Sequence, residues 1–262
     1  MTEQERYGDS VLSPGWESER DRLVAMAAVA DETTRRILRE VGVRREWVCL
    51  EVGAGVGSVA SWLADEVPDG LVVATDIDTR WLEAIARSNL QVLRHDVVRD
   101  PLPEEHFDLI HARFVLEHLP ERDAILDKLC RSLKSGGVLV VESIASFPLQ
   151  SGTEPAFRDA MLAVERVLAE TIGTDAVWPR RFPRPLQERG LIDLGAAMHV
   201  PVTGAQNASS ACWSHTLTQL RPRIAANHPS TLASVDETLR LLADPTFYDF
   251  AFATAIAWGR KK

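Results

Sequence analysis

A short glycine-rich stretch constrains this chain most, because it separates two apolar runs that have the length of buried strands. The first run extends from Val48 to Val52, and the second begins at Leu71 after a Pro-Asp-Gly turn at 68–70. Between them, apolar residues recur at helical spacing after three glycines: Gly53, Gly55 and Gly57. The order strand, glycine turn, helix, strand predicts a βαβ unit of a parallel sheet, with a ligand cleft at the carboxyl ends of the strands.

The acidic residues around this stretch indicate a nucleoside ligand. Glycines let the backbone approach a ligand closely, and an acid just after the second strand, Asp76, suits two hydrogen bonds to ribose hydroxyls. The dinucleotide fingerprint would place its third glycine one residue later, where Ser58 stands. A nicotinamide or flavin dinucleotide is therefore an alternative ligand. Another alternative is that the glycines are present only because a tight strand-to-helix turn requires them, which would account for one or two of the three.

Three segments together resemble a known enzyme family. The order Glu-x-Gly-x-Gly-x-Gly from Glu51, followed by Asp76, resembles the first motif of class I S-adenosylmethionine-dependent methyltransferases. FDLIHARFVLEHL from Phe107 and LKSGGVLVVES from Leu133 resemble the small-molecule, ubiquinone-biosynthesis-like branch, methyltransferase types 11 and 12. The resemblance covers residues 47–143. It implies S-adenosyl-L-methionine (SAM) as the cofactor and an α/β fold with a doubly wound, seven-stranded, mostly parallel Rossmann-like sheet carrying helical lid insertions.

The same resemblance implies a set of cofactor contacts. In the family, an acid after the third strand bonds the adenine amino group and the backbone of the next residue contacts a ring nitrogen, which Asp96 and Val97 match. A carboxylate suits an amino group because it only accepts hydrogen bonds, although Asp96 as a turn or helix-cap acid is the alternative. His111 and Ala112 are expected beside the methionine part, and Arg113 is expected to pair with a carboxylate of SAM or of the protein. The expected cofactor-binding residues are Glu51, Gly53, Ala54, Gly55, Gly57, Ser58, Asp76, Ile77, Asp96, Val97, His111, Ala112 and Arg113.

Candidate acid/base residues follow the fourth predicted strand. Methyl transfer needs an oriented acceptor and a group that takes its proton, with no covalent nucleophile on the protein. Glu117 and His118 are the predicted pair at the acceptor side of the cleft, and His111 is a third catalytic candidate. His118 as a structural residue that bonds a nearby carbonyl is the alternative. His215 and His228 are further candidates in the second insertion.

The expected activity is methyl transfer to an oxygen, nitrogen or carbon atom of a small organic metabolite in biosynthesis. Two other classes stay open. An NAD(P)-dependent oxidoreductase would share the sheet but is disfavoured by the glycine spacing. A SAM-binding protein that catalyses a reaction other than methyl transfer would carry the same motifs.

Composition argues against several classes. A net charge of −9 over 262 residues disfavours a nucleic-acid partner. The three cysteines form no Cys-x-x-Cys pair and no cluster has metal-ligand spacing, so we expect neither a disulfide framework nor a metal. No run approaches the roughly 20 apolar residues of a membrane span, and the first residues lack a signal-peptide core. A cytoplasmic protein without a membrane partner is expected.

Four segments are predicted along the chain. Residues 1–42 form an arm and a helix that covers the cleft, residues 43–143 form the SAM-binding core, and residues 144–184 form a helical lid insertion. Residues 185–262 complete the sheet with strands six and seven around a second helical insertion at about 205–245. The insertions have the apolar content of a lid over a mostly apolar pocket, of packing elements or of a homodimer surface.

Three finer predictions concern individual stretches. Tyr7 and Trp16 are aromatic residues on an otherwise polar arm, so the arm either folds back over a ligand site or packs on the first helix. Residues 79–88 read as a second crossover helix. Residues 247–258 read as one continuous last strand.

Overall fold

Apolar runs separated by turns or helical segments form the strands of this protein. The computed structural model describes residues 5–262, so residues 1–4 of the predicted arm lie outside the described residues. The strands are β1 Val48–Val52, β2 Leu71–Asp76, β3 Leu90–Arg94, β4 Phe107–Arg113, β5 Leu133–Ala145, β6 Ile192–His199, β7 Val202–Gly204, β8 Tyr248–Phe250 and β9 Ala253–Arg260. The helices are α1 Glu19–Glu40, α2 Ser58–Glu66, α3 Arg122–Ser132, α4 Pro155–Ile172, α5 Arg184–Gln187, α6 Ala208–Asn227 and α7 Leu232–Ala243.

Seven of these strands form one sheet in the order β3-β2-β1-β4-β5-β9-β6. β3, β2, β1, β4 and β5 are parallel, and β9 runs antiparallel to β5 and β6. The strand order reverses between β1 and β4, which is where open α/β sheets bind ligands at their carboxyl ends. The prediction of a doubly wound, seven-stranded, mostly parallel sheet is confirmed.

Helices cover both faces of the sheet because successive strand residues point to opposite sides. Cys49 of β1 packs in an apolar cluster with α1 and α2, whereas its neighbour Leu50 packs with α3 on the other face. A third cluster joins α4, α6 and α7 with Val11 and Leu12 of the arm. The two insertions therefore have an apolar core of their own. Within residues 5–262, no helix combines the length and the apolar character needed to cross a membrane.

Two element predictions were wrong. Residues 79–88 are turns, in which the Leu82 amide bonds the Thr79 carbonyl at 2.9 Å and the Ile85 amide bonds the Leu82 carbonyl at 3.0 Å. Leu82 is fully buried and Ile85 packs in the same cluster, so the apolar spacing reflects burial without a helix.

The predicted last strand is divided in two. β8 pairs with β7 in a separate two-stranded sheet, and only β9 joins the main sheet. Ala251 and Phe252 lie between the two strands and are buried in the core of the insertions. Their burial turns the chain inward and interrupts the ladder.

The β6–β9 pairing depends on the absence of a side chain at Gly195. Gly195 pairs with Trp258, and a Cβ at that position would lie 2.2 Å from the indole ring. We expect Gly195→Ala to lower the free energy of unfolding by about 1–3 kcal/mol, because overpacking moves a large ring. Urea unfolding followed by circular dichroism measures this. Gly15→Ala is the control, since its Cβ would make only an ordinary 3.5 Å contact with Ser13; equal stability of the two variants would contradict the expectation.

Candidate cofactor and acceptor site

A cleft of about 1300 Å³, open to solvent at its mouth, lies at the reversal point of the sheet. The turn after β1, the ends of β2, β3 and β4, helix α1 and the N-terminal arm line it. Parallel strands bring their carboxyl ends to the same edge, so residues distant in sequence meet there. The predicted cofactor residues found in its lining are Glu51, Gly53, Ala54, Gly55, Ser58, Asp76, Ile77, Asp96, Val97 and Arg113.

The three glycines have different structural reasons. All three have positive φ angles, 67° at Gly53, 55° at Gly55 and 78° at Gly57. Residues that carry a side chain rarely adopt such angles. A Cβ at Gly53 would lie 2.3 Å from a methyl of Val115, and one at Gly57 would lie 2.2 Å from a methyl of Ile85. A Cβ at Gly55 would have no neighbour within 4 Å. Gly53 and Gly57 therefore permit packing, and Gly55 keeps the backbone accessible from the cleft.

Asp76 is held in place by backbone amides. Its Oδ2 accepts a hydrogen bond from the Gly55 amide at 2.8 Å, and its Oδ1 accepts one from the Asp78 amide at 3.0 Å. Burial raises the pKa of Asp76 despite these amide hydrogen bonds. Each carboxylate oxygen has a further lone pair, so the oriented carboxylate can accept from two neighbouring hydroxyls.

Asp96 lies in the cleft and contacts the N-terminal arm. Its Oδ1 accepts from the Val98 amide at 2.9 Å, and its Oδ2 accepts from the Arg6 guanidinium at 3.0 Å. Val97 is buried next to it. The arm therefore reaches the place where the adenine contact is expected. Arg6 was not among the predicted site residues, because nothing in a polar arm identifies which of its charges reaches the cleft.

Arg113 pairs with a carboxylate of the protein. Its guanidinium donates to Asp31 Oδ1 at 2.9 Å and to Thr34 Oγ1 at 2.8 Å, both on α1. Ser58, at the start of α2, donates to the same Asp31 oxygen at 2.9 Å. Of the two partners expected for Arg113, the structure shows the one on the protein, and this cluster joins α1 to the glycine turn.

His111 lies beneath the cleft and outside its lining, which corrects its expected place beside the cofactor. The side chain is fully buried, with Nδ1 2.7 Å from Glu51 and Nε2 3.2 Å from Glu142. Burial lowers the pKa of His111, but the charge of Glu51 and the hydrogen bonds to both carboxylates raise it overall to about 9. Both ring nitrogens are engaged, so His111 is a charged structural residue and not a catalytic base. Ala112 is also buried outside the cleft lining.

Glu117 is likewise turned away from the cleft, contrary to the predicted catalytic role. Its carboxylate accepts from Ser143 Oγ and from the Ile144 amide, both at 3.0 Å. The side chain is fully buried, and this burial raises its pKa to about 7. Glu117 attaches the short 3₁₀ helix Leu116–His118 to the end of β5.

His118 is the acid/base candidate that reaches both cavities of the molecule. Its Nδ1 lies 2.9 Å from Thr174 Oγ1, and its ring centroid lies 5.2 Å from that of Tyr7. Burial, aided by the positive charges of Arg22 and Arg122, lowers its pKa to about 3. The imidazole is therefore neutral at pH 7. His215 and His228 lie outside the linings of both cavities, and His228 pairs with Glu170 at 3.0 Å.

A second cavity adjoins the cofactor cleft and, together with the open space at its mouth, measures about 900 Å³. Side chains of α1, α4 and α6 and the start of β9 line it. Four residues line both cavities: Tyr7, Met26, Phe114 and His118. The two cavities therefore meet at these four side chains. Within residues 5–262, no group of histidine, cysteine and acidic side chains has the arrangement of a metal site.

The His111 contacts predict how stability depends on pH. The pKa of His111 is about 9 in the folded protein against an ordinary value of 6.5. Its stabilising contribution is therefore complete below pH 6.5 and is lost as the pH rises through about 9. We expect the free energy of unfolding to fall by roughly 3 kcal/mol over this range, as measured by urea unfolding at several pH values.

His111→Gln is the matched variant, because it keeps hydrogen-bonding capacity without the charge. We expect it to be about 3–5 kcal/mol less stable at pH 7, since it leaves buried carboxylates without a counter-charge. Its stability should change less than that of the original protein between pH 7 and 9. Parallel pH profiles for the two proteins would show that His111 does not carry the charge assigned to it.

Comparisons with known proteins agree with this geometry. The family described as "Methyltransferase domain" matches residues 50–141. The ubiquinone/menaquinone biosynthesis C-methyltransferase UbiE of Laribacter hongkongensis is 33% identical over 112 residues, which cover 40% of this chain and 46% of that enzyme. Methyltransferase str3 of Strobilurus tenacellus is 34% identical over 96 residues, covering 36% of this chain and 34% of that protein. The chain thus spans less than half the length of these curated relatives.

Solved structures extend the likeness over most of the chain at the level of the fold. Phosphoethanolamine N-methyltransferase 2 of Haemonchus contortus, solved with S-adenosylhomocysteine, superposes with a TM-score of 0.60 and 15% identity, covering 94% of this chain and 58% of that one. The match of residues 50–141 contains the glycine turn, Asp76 and Asp96, the residues that shape the cleft. Residues 50–141 match a methyltransferase domain, the chain has the fold of S-adenosylmethionine-dependent methyltransferases, and this match supports S-adenosyl-L-methionine as the cofactor.

Proposed function

We propose that this protein transfers a methyl group from SAM to an oxygen, nitrogen or carbon atom of a small organic molecule. The observation that carries the proposal is the junction of the two cavities, in which a cleft with nucleoside-binding features meets a mostly apolar cavity through four shared side chains. The relatives named for ubiquinone and menaquinone synthesis support a biosynthetic role.

The side chains of the cleft fit the cofactor. The open space at Gly55 lets a ligand approach the backbone of the glycine turn, Asp76 offers a fixed carboxylate to ribose hydroxyls, and Asp96 offers an acceptor to the adenine amino group. When bound, SAM supplies a methyl group attached to a positively charged sulfur. The S–CH₃ bond breaks as the bond from the methyl carbon to the acceptor forms, and the leaving group is S-adenosylhomocysteine. The protein's contribution is to hold the acceptor in line and to exclude water.

His118 is placed to take the proton of an oxygen or nitrogen acceptor. It is neutral at pH 7, because burial lowers its pKa to about 3. So low a pKa makes it a weak base toward a free hydroxyl, but the acidity of the acceptor rises as the new bond forms, and proton transfer becomes favourable then. Glu117 and His111 take no part in this step, since their polar atoms are engaged elsewhere.

The residues that the two insertions contribute to the second cavity support a role for these insertions as a lid over the acceptor. α4 contributes Val164, Glu165 and Leu168 to the second cavity, and α6 contributes Cys212, Trp213 and Thr216, among others. Both helices come from the segments predicted to cover a mostly apolar pocket. A lid of this kind removes water from the junction, which strengthens polar interactions there.

A reaction other than methyl transfer is the second candidate. The [4+2]-cyclase SpnF has the same fold, with a TM-score of 0.54 and 17% identity over 88% of this chain and 81% of that one. A protein named for a cyclisation therefore has the same fold as this chain. Product mass separates the two candidates, because a gain of one methylene indicates transfer and an unchanged mass indicates rearrangement.

Calorimetric titration with SAM and with S-adenosylhomocysteine tests the cofactor assignment. We expect both to bind, and Asp76→Asn to weaken both at least tenfold, because hydrogen bonds to a charged group are worth about 1.5–3 kcal/mol. Asp65→Asn is the control, since Asp65 pairs with Arg87 on the exposed face of α2. Absence of binding, or binding of NADH instead, would reject the proposal; equal affinity of Asp76→Asn and the control would move the ribose contact elsewhere.

Two glycine variants separate cofactor binding from stability. Gly55→Ala places a methyl group in open space within the cleft, so we expect SAM affinity to fall at least tenfold with only about 1–2 kcal/mol of backbone strain. Gly57→Ala carries the same strain and also meets Ile85 and Leu82, so it should lose more stability. Thermal unfolding and calorimetry of both variants measure these effects, and the reverse order of stability would contradict the roles assigned to the two glycines.

A further inference from the structure

The second cavity is almost entirely hydrocarbon, and its charged side chains already have partners. Trp213 stacks on Phe252 with ring centroids 4.8 Å apart. Arg22 forms two hydrogen bonds with Glu19, at 2.7 and 2.8 Å, and Glu165 accepts from Ser146 at 2.9 Å. An anion would lose its hydration without gaining a free counter-charge, because Arg22 is already paired with Glu19. A cation would meet only Glu165, whose carboxylate already accepts from a hydroxyl group, so the apolar wall suits a neutral molecule.

Tyr7 presents a hydroxyl group whose hydrogen is free to be donated. Its oxygen accepts from Arg22 Nη2 at 2.8 Å, and among residues 5–262 its hydrogen has no acceptor. Burial, only partly opposed by Arg22, raises the pKa of Tyr7 to about 12, so the hydrogen stays in place. Gln219 bonds Glu19 at 2.7 Å and Glu19 bonds Arg22, which fixes the Tyr7 oxygen before a ligand arrives.

His118 offers the complementary group beside Tyr7. Its Nδ1 contacts Thr174, and its Nε2 has no hydrogen-bond partner within the described part of the chain. If Nδ1 donates to Thr174, the neutral imidazole has an acceptor nitrogen remaining. With their ring centroids 5.2 Å apart, Tyr7 and His118 place one donor and one acceptor at the junction of the two cavities.

A hydroxyl group matches this pair, because it accepts one hydrogen bond and donates another. A carbonyl has nothing to donate to His118, and an ammonium ion has no lone pair with which to accept from Tyr7. We infer that the second cavity binds a neutral, largely hydrocarbon molecule whose hydroxyl group lies between Tyr7 and His118. This inference rests on the proposed function and names the class of acceptor, an apolar alcohol or phenol.

Calorimetry with the full chain, both alone and with S-adenosylhomocysteine present in excess, tests the inference. The probes are 2-naphthol, naphthalene, 2-naphthoate and 2-naphthylmethylammonium, which share one ring system. We expect 2-naphthol to bind at least five times more tightly than naphthalene and at least ten times more tightly than either ion. Tyr7→Phe should abolish the advantage of 2-naphthol over naphthalene and leave the affinity for naphthalene unchanged, as should His118→Phe.

Variants that fill the cavity locate the binding. Cys212→Phe, or Thr216→Leu if that protein does not fold, should abolish 2-naphthol binding and leave S-adenosylhomocysteine binding unchanged, because both side chains line only the second cavity. Three results would overturn the inference. One is tighter binding of an ion than of 2-naphthol, and another is an advantage of 2-naphthol over naphthalene that remains in Tyr7→Phe and His118→Phe. The third is 2-naphthol binding that remains when the cavity is filled. Naphthol discrimination without cofactor binding would instead reject the proposed function alone, and cofactor binding without discrimination would reject the inference alone.

Discussion

The bonds of His111 are the interaction on which the site depends, because they connect the three central strands beneath the cleft. Glu51 of β1 and Glu142 of β5 hold the two nitrogens of His111 on β4, and Glu142 also accepts from Thr34 of α1 at 3.0 Å. Buried charges are tolerated only with partners at hydrogen-bonding distance. A shift of one strand against the next would leave a carboxylate unpaired, so the network opposes any rearrangement of the strand ends that form the cleft floor.

Helix α1 extends this constraint to the acceptor side. Its C-terminal half carries Asp31 and Thr34, which bind Arg113. Its first turn carries Glu19 and Arg22, which fix the hydroxyl of Tyr7. One helix therefore contributes to a wall of the cofactor cleft and also holds the Tyr7 hydroxyl of the arm at the junction of the cavities.

The sequence predicted what is local and missed what depends on pairing between distant segments. The glycine turn and Asp76 were identified because backbone conformation and strand ends leave a signature within about 25 residues. His111 was misplaced because its partners Glu51 and Glu142 lie 60 and 31 residues away and meet it only through strand register. Glu117 was misjudged because the direction of its side chain depends on the end of β5. The apolar spacing at 79–88 was read as a helix, but buried turns produce the same spacing.

The acceptor half of the site is built largely from parts of the chain outside the family match. Phe114 and His118 lie within residues 50–141, but Tyr7 and Met26, which complete the junction, precede it, and Trp213 follows it. The relatives share the segment that shapes the cofactor cleft, so their substrates carry little information about this cavity. Under the proposed function, the identity of the acceptor is instead determined where the arm and the insertions meet, by a few polar groups on an apolar wall. Those groups are a donor and an acceptor with no net charge between them, and the inferred preference for a hydroxyl group rests on this pattern.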